Sequence, residues 1–565
     1  MTKQILRSFF FLLLLSYCKT GFSQQTFQRM YGGVHQEISL TALPCPSGGI
    51  YYLGATTSAG SGDADPVIMK LDDDGQVIWA RTIGGPNYDV AGAMTLAADG
   101  GLVYAGSTKS YNGNTLDDLY FFKTDSMGSL VWAKTFSTSD LDVASAILRT
   151  SDDGFAITGF IRIAGIKFVV LIRTDSNGDT LFTHFYGTGV SDHQGVELHQ
   201  TPDGGFLIAG KTFTQASPES EILLMRIDAQ GDLVWAKSYG DVRWDEGAGI
   251  IRLLDGNYLL SGSTISFGQG DFDILLMKTD TSGNILWGKT YGGAKSDAAY
   301  TARENADGSI LVSGYTNSMG YGHSLRMARP GDVKQISNND VHSQLPGSGT
   351  QSHDRGDDST NVFLMKVNAI GDTLWTRTYG DGAQDEAFHF YKMNDGGYIL
   401  PGFSTSYTNT TDSTQMMLIR TDSLGHSGCH EQDAHPMIDT TNFTTINLNF
   451  IQVSGITENI VVSNSLAWNI PAADACLFIQ VAAPGLNDFS VSPNPAVNTL
   501  NISSGNYPVM HLGIYNILGE PVLDYSVPEL FQVSADVSNL SPGIYFLKLV
   551  TPASEITKKI IIQKN

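Results

Sequence analysis

One phrase, written over and over, limits what this chain can fold into, and its cleanest copy runs from Tyr239 to Thr290. It reads Tyr-Gly-Asp, then Asp245, a short apolar run, Asp255-Gly256, a second run through Gly262 and a polar loop. It continues with Asp273-Ile274-Leu275-Leu276-Met277, the turn Asp280-Thr281-Ser282-Gly283, and Ile285-Leu286-Trp287. Four short apolar segments separated by Gly, Asp and Ser clusters predict four strands joined by tight turns. The aromatic that closes the phrase recurs at Trp79, Trp132, Phe182, Trp235, Trp287 and Trp375, at spacings of 53, 50, 53, 52 and 88 residues. The last gap holds one copy plus a polar insertion at His323–Thr360.

A seventh copy starts at Tyr379, keeps Asp395-Gly396-Gly397 and Met416-Met417-Leu418-Ile419, and fades before its fourth strand near Cys429. That missing strand stands at the other end of the chain, where Phe27–Gly33 aligns with Trp79–Gly85. A circular offset of this kind removes open sheet edges if the N-terminal strand completes the last copy. An open stack would need capping repeats. The expected fold is therefore all-β: a seven-bladed β-propeller over 24–429, closed by Phe27–Met30 against Met416–Arg420. A small linking β module over 430–486 and a C-terminal Ig-like β-sandwich over 487–565 should follow.

The formal charge of −23, with no basic stripe, argues against a nucleic-acid partner. Residues 1–23 read as a secretory signal: Lys3 and Arg7 precede the apolar run Phe9–Leu15, and Gly21-Phe22-Ser23 offers small residues at the cleavage positions. Lipidation through Cys18 is the alternative, although Tyr17 is a poor residue before a lipidated cysteine. No later stretch is long and apolar enough for a membrane helix. Three cysteines follow the signal, and Cys429 and Cys476, which bracket one short segment, are the expected disulfide, with Cys45 free.

The recurring Trp is expected to fill space between blades. The Asp-x-x-Gly before it is a turn in which Asp accepts backbone hydrogen bonds and Gly takes the left-handed position. Even Asp72-Asp73-Asp74-Gly75 lacks the ligand spacing of a calcium loop. A second acidic set stands six residues past each Tyr-Gly-like start: Glu37, Asp89, Asp142, Asp192, Asp245, Asp297 and Asp385. Opening the innermost strands, these acids would ring one mouth of the channel. The favoured reading has them accept hydrogen bonds that tie blades together; the alternative is a cation site. The insertion carries His323, His342, His353, Asp354, Asp357 and Asp358 without any zinc spacing, and its composition suits a mobile loop first and a partner-binding loop second.

The last part holds Ser492-Pro493-Asn494-Pro495, Tyr515-Asn516-Ile517-Leu518-Gly519, Gly543-Ile544-Tyr545 and Lys558-Lys559. Alternating strands with Asn-Pro, Leu-Gly and Pro-Gly turns read as a compact β-sandwich. This segment resembles the type A C-terminal sorting domain of the type IX secretion system of Bacteroidetes. The resemblance implies that Pro493, Asn494, Pro495, Tyr515, Gly519, Gly543, Tyr545, Lys558 and Lys559 carry the sorting signal. It implies export by the signal peptide and then outer-membrane translocation by the secretion machinery. It also implies removal of the domain by a sortase-like peptidase, with release or surface attachment.

For the repeat region no nucleophile elbow, zinc-protease helix or cofactor motif is found, so no catalytic residue, metal ligand or cofactor is assigned. The expected function is an exported, non-enzymatic binding or adhesion protein for a glycan or protein ligand. Candidate contacts are Tyr88, Trp244, Tyr321 and His323 on the face of the insertion. The alternative is a polysaccharide hydrolase or lyase on the same scaffold.

Overall fold

The repeated phrase forms repeated sheets. The computed structural model describes residues 25–319 and 359–564, apart from 112–115, 139, 215–218, 407–413, 442, 455–456, 462–463, 469, 471, 476–489, 494–495, 504–508, 517–520, 531 and 551–554. The signal segment, Cys476, Asn494, Pro495, Gly519, Tyr321, His323 and nearly all of the insertion lie outside the described residues. The chain divides into two compact units, Met1–Cys476 and Leu477–Asn565.

In the first unit each copy is an antiparallel meander. The fifth sheet is typical, with strands Asp245–Arg252, Tyr258–Thr264, Asp273–Thr279 and Ile285–Gly292 paired in chain order. Its second strand is buried at every residue, and in its third only Lys278 is partly open. Continuous burial is what a strand covered on both faces requires, and the unbroken apolar runs supply it. The innermost strand carries a bulge between Gly247 and Gly249, and the first, second, third, fourth and sixth sheets carry one at the matching place. The seventh sheet departs: its inner strand is broken into Asp385–Ala387 and Tyr391–Lys392. Its outer position is filled by Phe27–Tyr31, paired with the strand Gln415–Thr421 in the register Phe27↔Arg420 to Tyr31↔Met416.

The core sits between sheets. One apolar cluster joins the fourth and fifth sheets through Leu207, Leu224, Tyr239, Leu260 and Met277, with Trp235 against it. Another draws Phe27, Ile399 and Met416 of the seventh sheet together with Tyr52, Val67 and Met69 of the first. The motif residues make these junctions. Trp235 and Tyr239 leave so little room at Gly283 that a Cβ there would lie 2.9 Å from the indole and 2.8 Å from the phenol oxygen. Gly283 also has φ of 74°, so both its backbone and its neighbours exclude a side chain. The Tyr239 hydroxyl donates to the Gly283 carbonyl of the next sheet at 2.7 Å. Tyr31, Tyr186, Tyr291 and Tyr379 do the same to Gly75, Gly231, Gly371 and Gly425, at distances between 2.5 and 2.6 Å. The Tyr and Trp of one copy thus grip the Gly of the next.

The segment after Cys429 differs from expectation. It forms no separate module. Strands Glu431–Asp433, Met437–Thr440, Thr444–Asn447, Ile451–Ser454, Thr457–Val461, Asn464–Ala467 and Ala472–Asp474 each add to the outer edge of a different sheet, in the order sixth, fifth, fourth, third, second, first, seventh. Their starts are 6, 7, 7, 6, 7 and 8 residues apart. The segment is a belt running against the direction of the repeat, and it pairs the outer strands that the repeat leaves open. Apolar links seat it between sheets: Phe443 lies 4.7 Å from the Phe267 ring, Phe450 lies 4.5 Å from the His193 ring, and Trp468 and Ile470 join the cluster of the first and seventh sheets.

In the second unit a three-stranded sheet (Ser490–Ser492, Thr499–Ser503, Gln532–Asp536) and a four-stranded sheet (Pro521–Leu530, Val509–Tyr515, Gly543–Val550, Glu555–Ile562) share one core. Leu500, Ile502 and Ala535 from one sheet meet Leu512, Leu547 and Ile560 from the other, which makes a β-sandwich.

Candidate functional site

Six of the seven recurring acids, Glu37, Asp89, Asp142, Asp245, Asp297 and Asp385, open inner strands and are fully buried. Asp245 accepts from the Thr264 hydroxyl of the neighbouring strand, from the Ser266 hydroxyl at 2.8 Å and from the Asp241 N–H at 3.0 Å. Asp89 accepts likewise from Thr108, from Ser110 at 2.7 Å and from the Gly85 N–H at 2.6 Å. Glu37, Asp297 and Asp385 make the same kind of set, with a hydroxyl of the neighbouring strand and an N–H of the preceding connection. Asp142, paired with Ile161, instead accepts both the hydroxyl and the N–H of Thr138 in the preceding connection. Glu37, Asp89, Asp245, Asp297 and Asp385 therefore staple the inner strand, the following hairpin and the incoming connection, and Asp142 the inner strand and the incoming connection. Burial pushes Asp142, Asp245, Asp297 and Asp385 up to about 6, even though those hydrogen bonds act in the opposite direction. Glu37 and Asp89 are also raised by burial.

Asp192 does not belong to this row. The fourth inner strand opens at His193, whose register partner is Thr212, as Thr264 is for Asp245. The connection after Tyr186-Gly187 is one residue longer, with Gly189 at φ of 75°, so the residue six places past the Tyr falls in the loop. There Asp192 accepts from the Lys167 N–H at 2.9 Å. His193 takes over the staple, with Nδ1 2.7 Å from the Thr212 hydroxyl and Nε2 2.9 Å from the Thr188 hydroxyl. Burial pushes its pKa down to about 4.

A second buried acid at some of the junctions escaped the sequence reading. Asp65 and Asp273 open third strands and face the row from the preceding sheet. A Cβ at Gly292 would lie 2.2 Å from Asp273 and 2.8 Å from Asp297, which explains why Gly follows Tyr in the phrase. The Asp just before the third-strand apolar run in the first, second and fifth copies was the available signal. Among the described residues no group of three His, Cys, Asp or Glu is arranged to hold a metal ion.

The exposed-face candidates are engaged locally. The Trp244 indole N–H donates to Glu246, which also accepts from Lys211 at 3.0 Å, and its ring lies 5.8 Å from Phe213. Lys109 lies 5.4 Å from the centre of the Tyr88 ring.

Sequence symmetry breaks at the opposite ends of the inner strands. Arg303 of the sixth sheet donates through Nε to the Phe390 carbonyl at 3.3 Å and lies over the Tyr391 ring at 4.7 Å. The Tyr391 hydroxyl lies 3.2 Å from that of Thr41 on the first sheet. His389, stacked on Tyr391 at 6.4 Å, has an Nδ1 shielded from solvent and without a partner. The charge of Arg303 also acts on Glu197 and His199 of the fourth sheet, and Arg252 of the fifth acts on His199. Enclosure pushes Glu197 up to about 7 and His389 down to about 4. None of these residues stood out in the sequence, because residues from four different copies meet only in three dimensions.

Comparison with known proteins identifies the tail. Residues 490–563 match the family described as the secretion system C-terminal sorting domain. This domain marks the chain for secretion or surface attachment by translocation across the outer membrane. Within it Pro493 follows a cis peptide bond, Tyr545 is buried with its hydroxyl donating to the Ser541 carbonyl at 2.9 Å, and Lys558 is exposed. No curated protein matches the chain. Similar solved structures include Sqt1 from Chaetomium thermophilum, at 11% identity and a TM-score of 0.33, covering 72% of this chain and 100% of that one. The extracellular domain of a hybrid two-component system from B. thetaiotaomicron aligns at 10% identity and a TM-score of 0.20, over 93% of this chain and 78% of that one.

Proposed function

We propose that this is an exported, non-enzymatic binding protein whose repeat region is a closed seven-bladed propeller. The observation that carries the closure is the pairing of Phe27–Tyr31 with Gln415–Thr421, supported by the apolar cluster common to the first and seventh sheets. The sorting tail supports delivery to the surface or medium, with the segment 1–23 as the first export signal. Binding is favoured because the repeated acids are committed to stapling strands, while polar side chains from several sheets converge where the repeat is broken at Phe388–Phe390. A ligand site breaks symmetry; a structural row repeats it.

Two experiments test this reading. Deleting 487–565 should leave the protein in the periplasm, and undiminished surface delivery would contradict the sorting role. The purified mature chain on a glycan array should retain specific glycans without altering them. Turnover of a retained glycan would instead favour the hydrolase or lyase alternative, for which the raised Glu197 is the acid to examine. Cys429 is disulfide-bonded and Cys45 is free and buried. We assign Cys476 as the partner, because His430 Nε2 lies 3.3 Å from the carbonyl of Ala475 and so brings the two ends of the belt together.

A further inference from the structure

The inner-edge cluster has a chemistry unlike the rest of the chain. In a protein of formal charge −23, Arg252 and Arg303 are both exposed there and neither forms an ion pair among the described residues. Arg303 is held in place by Phe390 and Tyr391, so its guanidinium is already oriented. Arg252 makes no hydrogen bond among the described residues, and its charge acts on His199. Glu197 and His389 are each only partly exposed, and burial pushes the acid up and the imidazole down.

Arg252 and Arg303 lie near the ends of the neighbouring inner strands of the fifth and sixth sheets, and both charges act on His199. Two unpaired guanidinium groups so placed favour an anion, and their planar forks suit a carboxylate. The neighbours are mixed donors and acceptors: neutral imidazoles at His199 and His389, the Tyr391 hydroxyl and the Glu197 carboxyl. A bare anion has no use for that set, whereas a polyhydroxylated ring matches it. Resting on the binding function proposed above, we propose that Arg252, Arg303, Glu197, His199, His389 and Tyr391 form a binding site for a carboxylated sugar, a uronate residue of an acidic glycan. The two arginines take the carboxylate and the remaining groups take ring hydroxyls.

Calorimetric titration of the mature chain with D-glucuronate, D-glucose and acetate at low ionic strength tests this. Glucuronate should bind saturably and more tightly than either of the others. Arg252→Gln and Arg303→Gln should each weaken it roughly tenfold, since each removes a charge-assisted pair. Arg252 is exposed and makes no hydrogen bond among the described residues, so Arg252→Gln with an unchanged melting temperature separates ligand loss from misfolding. Acetate binding as well as glucuronate, or both variants binding as the parent does, would overturn the proposal. Retention of neutral glycans in that event would leave the broader binding function standing.

Discussion

The four repeated strands of each sheet and the fifth strand supplied by the belt solve different problems. Repeated strands such as Ile274–Met277 bury their side chains completely and meet neighbouring sheets through Trp and Tyr. Belt strands leave theirs in solvent: Met437 is 53% exposed and Ile460 is 83% exposed. What the belt contributes is backbone pairing to edges that would otherwise stand open, with Phe443, Phe450 and Trp468 as occasional anchors. Side chains therefore specify the sheets, while main-chain pairing holds the belt.

That contrast can be broken or sharpened by substitution. The largest effect is expected from Cys429→Ser, which removes the disulfide proposed to join the two ends of the belt. Chain entropy for a loop of nearly fifty residues predicts a loss of about 4 kcal/mol, read as a lower denaturant midpoint under non-reducing conditions. An unchanged midpoint would mean the belt is not covalently closed. Trp235→Ala should cost about 3 kcal/mol, because it empties the junction between the fourth and fifth sheets above Gly283. Tyr239→Phe removes only the stitch to the Gly283 carbonyl and should cost about 1 kcal/mol in the same assay. Ile460→Ser in the belt should change stability by no more than about 0.5 kcal/mol; a large loss there would show that belt side chains matter after all.

The stapling acids predict a pH dependence. The folded chain holds Asp142, Asp245, Asp297 and Asp385 at about 6, above the ordinary aspartate value of 3.8. The folded state therefore binds more protons than the unfolded chain between about pH 4 and pH 6. Their contribution to stability is fully present below the unfolded value and is lost as pH rises through the folded one. Urea midpoints should fall across that window, and Asp245→Asn should flatten the slope. A parent slope of the opposite sign would contradict the burial of these carboxylates in charged form.

Much of the repeat was legible because each copy writes the same instructions. The strand order, the Asp-x-x-Gly turns and the Trp at each junction follow from period and turn chemistry alone. Even the placement of Phe27 against the turn at Gly75 follows from its alignment with Trp79, which lies on the matching Gly128. The belt was not legible. Its strands are three to five residues long, lack an apolar period, and gain their meaning from edges far away in sequence. Asp192 was misplaced because one extra loop residue shifts the strand start without changing the motif. The inner-edge cluster was hidden for a related reason: Glu197, Arg252, Arg303 and His389 occupy unlike positions in four copies, so aligning the copies cannot bring them together.

The most direct test of the closed ring is amide hydrogen exchange of the mature chain at Phe27–Tyr31. Paired with Gln415–Thr421, and from Arg29 to Tyr31 also with Ala472–Asp474, these amides should exchange as slowly as those of Met416–Ile419. Exchange at the rate of an unpaired chain terminus would contradict the account.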